Sequence, residues 1–91
     1  LYDNIPRILP EDCRVVIDRS TWKVPTLFRF LQEKGKIDPD EMYRVFNMGI
    51  GYVIIVRKKD AESSVKLLKG LRAGPRVIGH VEKGEKGVTL I

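Results

Sequence analysis

The chain holds one cysteine, one histidine and one tryptophan among 91 residues, and each scarcity removes a class of chemistry. A lone Cys13 cannot close an internal disulfide, so a disulfide scaffold is excluded and a reducing compartment, the cytoplasm, is the default expectation. Asp12 and Arg14 flank it without marking it as reactive, so Cys13 reads as a small buried or half-buried residue. His80 has no Cys, His or carboxylate at ligand spacing, which makes it a poor metal candidate and leaves a Cys/His catalytic pair without support. Long apolar runs are also missing. The longest, Tyr52 to Val56, is far too short to span a membrane, and the opening residues lack a signal-peptide pattern. Neither an internal repeat nor a low-complexity segment is present.

What the chain does have is positive charge. Seventeen basic against twelve acidic residues give a net charge of +5, which favours anionic partners without choosing between phosphorylated metabolites and nucleic acid. Ninety-one residues, 43% apolar, suit one domain with one small core. Such a core leaves little room for a nucleotide-sized cleft, so any such cleft needs a second domain or subunit as its other wall. The first residue is Leu1 rather than Met, and the expectation is that part of the protein lies upstream.

The stretch from Met42 to Val56 organises the rest. Met42, Val45 and Phe46 have helical spacing, whereas Tyr52 to Val56 is an unbroken aromatic and β-branched run suited to a buried strand. Between them lies Asn47-Met48-Gly49-Ile50-Gly51. Two glycines and an amide can end a helix and turn the chain, and the same backbone N–H groups can meet a phosphate or polar substrate. Around this centre, Leu1 to Pro10 fits at most a short helical end because of Pro6 and Pro10, and Arg14 to Asp18 reads as a strand. Pro25 opens a helix with Leu27, Phe28 and Leu31 on its apolar face, and Asp38-Pro39-Asp40-Glu41 caps the next. Asp60 caps a third helix carrying Ala61, Val65, Leu68 and Leu71. Val77 to Val81 and Val88 to Ile91 read as strands joined in a hairpin. The expected fold is therefore α/β, more closely α+β: a mixed β-sheet with packed helices.

Asn4-Ile5-Pro6-Arg7-Ile8-Leu9-Pro10, then Trp22, Pro25, Phe28 and Leu31-Gln32, then Glu41-Met42-Tyr43-Arg44 with Phe46-Asn47-Met48-Gly49-Ile50-Gly51, and finally Val77-Ile78-Gly79 follow one another across nearly the whole chain. In that order and spacing they resemble the C-terminal end of the AIR synthetases, the phosphoribosylformylglycinamidine cyclo-ligases of purine biosynthesis. The Asn-Ile-Pro-Arg and Phe-Asn-Met-Gly-Ile-Gly blocks carry most of the specificity.

The resemblance implies a single partial domain over residues 1–91, the C-terminal portion of a two-domain ATP-dependent enzyme. In that family phosphate is transferred to the amide oxygen of formylglycinamidine ribonucleotide. An internal nitrogen then attacks, and phosphate leaves to give aminoimidazole ribonucleotide. Such a reaction asks for positioning and charge stabilisation more than for a covalent nucleophile. ATP and Mg2+ are handled mainly by an N-terminal ATP-binding domain, which this chain lacks, so isolated inactivity and a homodimeric parent are expected. Carried over as cleft-lining candidates are Asn4, Arg7, Asn47, Gly49 and Gly51. Arg7 would neutralise phosphate, Asn47 would bond substrate or nucleotide, and the glycines would let backbone donors approach; capping and interdomain packing account for the same residues otherwise. Two other readings stand beside it. One is a related enzyme acting on another substrate. The other is a small basic nucleic-acid-binding module, disfavoured because Phe28, Phe46 and Tyr52 look committed to packing.

Overall fold

The computed structural model describes residues 1–91. Its sheet has three strands, β1 (Cys13–Ile17), β2 (Gly79–Lys83) and β3 (Gly87–Leu90), and three helices, α1 (Thr26–Gly35), α2 (Pro39–Val45) and α3 (Ala61–Gly70), accompany it. Short 3-10 turns stand at Ile5–Ile8, Arg19–Thr21 and Lys58–Asp60. This is the mixed, helix-packed α+β arrangement expected from the pattern.

The sheet order is β2-β1-β3. β2 runs antiparallel to β1, with Val15 opposite Val81, and β3 runs parallel to it, with Val15 opposite Val88. β2 and β3 are thus not the hairpin expected from sequence; β1 lies between them. The link Gly84-Glu85-Lys86 steps across the start of β1, where Gly84 N–H donates to Asp12 O at 2.9 Å. Strands one place apart are about 10 Å from each other, a gap that a link this short can span. The centre falls to β1 because its Val-Val-Ile run gains most from neighbours on both edges. Arg14 then clamps the crossing, donating from Nε to Thr89 Oγ1 at 2.7 Å, from Nη1 to Glu85 O at 3.1 Å and from Nη2 to Val88 O at 3.2 Å.

One core lies against the sheet face that carries Val15, Ile17 and Val88. It gathers Leu1, Ile5 and Leu9 from the opening segment, Met42 and Tyr43 from α2, and Met48 from the turn. α2 starts as its capping signal demands, with Asp38 Oδ1 accepting from the Asp40 N–H at 2.9 Å and Pro39 in the first turn. Its buried pair is Met42 and Tyr43, while Val45, expected inward, is exposed. α1 reaches the core edge through Phe28 and Leu31. Phe28 meets Phe46 edge to face at 5.9 Å, and Lys36 closes the helix in the left-handed region at φ 51°. α3 begins where expected, but Asp60 does not cap it; the Asp60 carboxylate bonds Arg57 Nε at 3.0 Å instead.

Tyr52 to Val56 departs most from expectation. It is not a strand of the sheet, and Tyr52, expected to pack, is 87% exposed. No residue from Gly49 through Gly87 is buried. The molecule as a whole is correspondingly open. Its accessible surface is 7003 Å², where a closed domain of this mass exposes about 5,400 Å². Its radius of gyration is 14.1 Å against about 12 Å for a compact chain of this length.

Candidate functional site

The corner after α2 is held from three directions. Asn47 Oδ1 accepts from the Gly49 N–H at 2.8 Å, and the Ile50 N–H donates to Asn47 O at 3.0 Å. Met48 and Gly49 take φ values of 55° and 100°. Met48 is buried, and its carbonyl accepts from Trp22 Nε1 at 3.1 Å. A Cβ on Gly49 would stand 2.6 Å from Pro25 Cδ, whereas one on Gly51 would meet nothing within 4 Å. Half of the Asn47 amide is therefore engaged in shaping the turn, and its NH2 group is left unpaired by the protein.

Opposite this corner lies the Ile5–Ile8 turn, fixed by Ile5 and Leu9 in the core. Between the two is a cleft of about 530 Å³ lined by Asn4, Ile5, Ile8, Arg44, Asn47 and Gly51 among others. That is the ordinary size of a small-molecule site. Asn4, Asn47 and Gly51, separated in sequence by more than forty positions at their widest, thus share one cleft. Arg7 is exposed on the same 3-10 turn and does not line it, and Gly49 lines an adjoining larger groove instead.

Arg44 is the functional candidate that sequence reasoning passed over. It sits in the last turn of α2, three residues before Asn47, and its guanidinium lies over the Tyr2 ring at 5.6 Å. Stacking on an aromatic face orients a guanidinium while leaving its N–H edges available to an anion. The available signal was its place on the helix turn leading into the Asn47 corner. Tyr2 itself has its pKa raised, first by burial and then by the Asp40 charge, with Arg19 and Arg44 opposing. The Leu1 ammonium also borders the cleft and donates to Tyr43 O at 3.0 Å. Burial lowers its pKa, and Asp3 partly offsets the shift.

The cleft offers amides, a guanidinium and backbone, and no Ser, Thr, Cys or His side chain lines it. No group of three or more His, Cys, Asp or Glu side chains converges anywhere in the chain, so these residues do not fit a Mg2+ ion. The arrangement can bind and orient a polar or anionic ligand. It does not by itself break a bond.

Over residues 1–91 the sequence matches the family described as AIR synthase related protein, C-terminal domain. The chain belongs to that family. Among curated relatives, the phosphoribosylformylglycinamidine cyclo-ligase of Pseudothermotoga lettingae is 47% identical over 90 residues, covering 99% of this chain and 27% of that protein. The enzyme of the same name from Caldicellulosiruptor bescii is 43% identical over 89 residues, covering 98% and 26%, and that of Citrifermentans bemidjiense is 45% identical over 91 residues, covering 100% and 26%. The chain therefore spans about a quarter of the length of the cyclo-ligases it is similar to. No helix is long and apolar enough to cross a membrane.

Proposed function

We propose that this chain forms one wall of the substrate cleft of an ATP-dependent phosphoribosylformylglycinamidine cyclo-ligase, in a cytoplasmic purine pathway, and is inactive by itself. The observation that carries this reading is the convergence of Asn4, Asn47 and Gly51, drawn from the two most specific sequence blocks, on one cleft. The substrate would be a ribonucleotide. Its phosphate and amide oxygens are acceptors, and the unpaired Asn47 NH2 group, the Arg44 guanidinium and exposed backbone near Gly51 are donors suited to them. Arg7, outside the cleft, would act at its rim once the opposite wall is in place. ATP would supply the phosphoryl group that turns the amide oxygen into a leaving group, and the acidic residues needed for Mg2+ would come from the N-terminal domain. What these residues contribute is orientation: a substrate held with its internal nitrogen close to the activated carbon loses much of the entropic barrier to ring closure.

The test is reconstitution. The chain is co-expressed with the complementary N-terminal three quarters of a cyclo-ligase relative, and ATP-dependent formation of aminoimidazole ribonucleotide is followed. Activity is expected only with both parts, and Asn47→Ala is expected to lower it by about 10-fold or more through lost positioning. A stable complex that turns over another amide substrate, and not this one, would assign the chain to a different enzyme of the superfamily.

A further inference from the structure

Arg44 enters the cleft from the last turn of α2 without a carboxylate partner. The close carboxylate pairs of the chain's basic side chains join Arg57 to Asp60, His80 to Glu82 and Lys86 to Glu11, and none of them involves this guanidinium. That is unusual for its position. Asp40 stands four residues earlier on the same helix, the spacing at which an acidic and a basic side chain ordinarily meet. Tyr2 engages both. The Arg44 guanidinium lies over its ring, 5.6 Å from the centroid, and the Asp40 charge reaches its hydroxyl, adding to burial in raising the phenol's pKa. The ring is itself fixed, because Tyr2 is half-buried and packs against the core that holds Leu1 and Ile5.

We propose that Tyr2 is a positioning residue of the substrate site: its ring keeps the Arg44 guanidinium from pairing with Asp40 and holds it at the cleft, with its N–H edge presented to the phosphate of the ribonucleotide. The identity of that ligand rests on the cyclo-ligase reading; the rest stands on geometry. Tyr2 is not part of the cleft lining, whereas Asn4, Arg44 and Asn47 are, so Tyr2 reaches a ligand only through Arg44. An aromatic face suits the task. It attracts the guanidinium without consuming an N–H donor, while a carboxylate would occupy two donors and neutralise the charge that a phosphate seeks. A long side chain already held in one orientation also loses less freedom when the ligand arrives. The stakes are high at this position, because Arg44 is the one charged side chain on the cleft wall.

Two measurements test this. In the reconstituted enzyme, Tyr2→Leu, which keeps an apolar contact with the core, is expected to raise KM for formylglycinamidine ribonucleotide about 5-fold or more with kcat changed by less than about 2-fold. Tyr2→Phe retains the ring and is expected to stay within about 2-fold of the parent. Adding Asp40→Asn to Tyr2→Leu is expected to recover binding, since the competing carboxylate is then neutral; a packing defect at Tyr2 would not be repaired in this way. In the chain alone, ribose 5-phosphate is titrated against the Arg44 Nε–H resonance. It is expected to shift that resonance in the parent and in Tyr2→Phe, and to bind about 5-fold or more weakly in Tyr2→Leu. With ring closure observed, an unchanged KM in Tyr2→Leu, no recovery with Asp40→Asn, or ribose 5-phosphate binding indifferent to Tyr2→Leu would each overturn the inference and leave the cyclo-ligase reading standing. A ribose 5-phosphate response that depends on the Tyr2 ring, in a complex without ring closure, would uphold the positioning role and remove that reading.

Discussion

A methyl group added at Gly49 would stand 2.6 Å from Pro25 Cδ on a backbone whose φ is 100°. Both the left-handed conformation and the collision oppose a side chain there. Gly49→Ala is therefore expected to destabilise the chain by about 2 kcal/mol or more, read from urea unfolding. Gly51 meets no such obstacle, so Gly51→Ala should change stability by less than about 0.5 kcal/mol and lower activity in the reconstituted enzyme. The contrast separates a glycine that the fold requires from one that a ligand or second wall requires. In the sequence the two are equivalent members of Gly-Ile-Gly, and only the position of Pro25 distinguishes them. Asn47 was legible as a turn residue because an amide two places before a glycine bonds its N–H. Arg44 was set aside because an exposed helix surface explains it equally well in sequence, and its stacking on Tyr2, which singles it out, joins residues far apart in the chain.

At the level of elements, local signals did best where the physics is local. The cap on α2 is made by Asp38 on the Asp40 N–H, and Asp38→Ala is expected to cost about 1 kcal/mol, measurable as a lower urea midpoint with an unchanged slope. α1 and α3 also lie close to where periodicity and Pro or Gly punctuation put them, although the Asp60 cap expected for α3 is not made. Three further readings failed, each for a reason outside the segment concerned. Val45 gives way to Tyr43 as the buried residue because α2 meets the sheet through its Met42–Tyr43 side. β2 and β3 miss their hairpin because β1 competes successfully for both. Tyr52–Val56 has the composition of an inner strand but no neighbour in this chain with which to form one. Of the candidate site, the pairing of the Asn4 and Asn47 blocks followed from the family resemblance, and their shared cleft is a product of the tertiary fold alone.

For the whole molecule, openness is the governing property. The buried residues come from the two ends of the chain and the α2 region, and everything between Gly49 and Gly87 lies outside that core. The placement of β1 also has a temporal consequence. Both strands that flank it come from Gly79–Leu90, so a ribosome must translate most of the sequence while the Val-Val-Ile segment waits without a ladder. The nascent chain is then at its most vulnerable to wrong pairing, and chaperone demand should peak just before the last strand emerges.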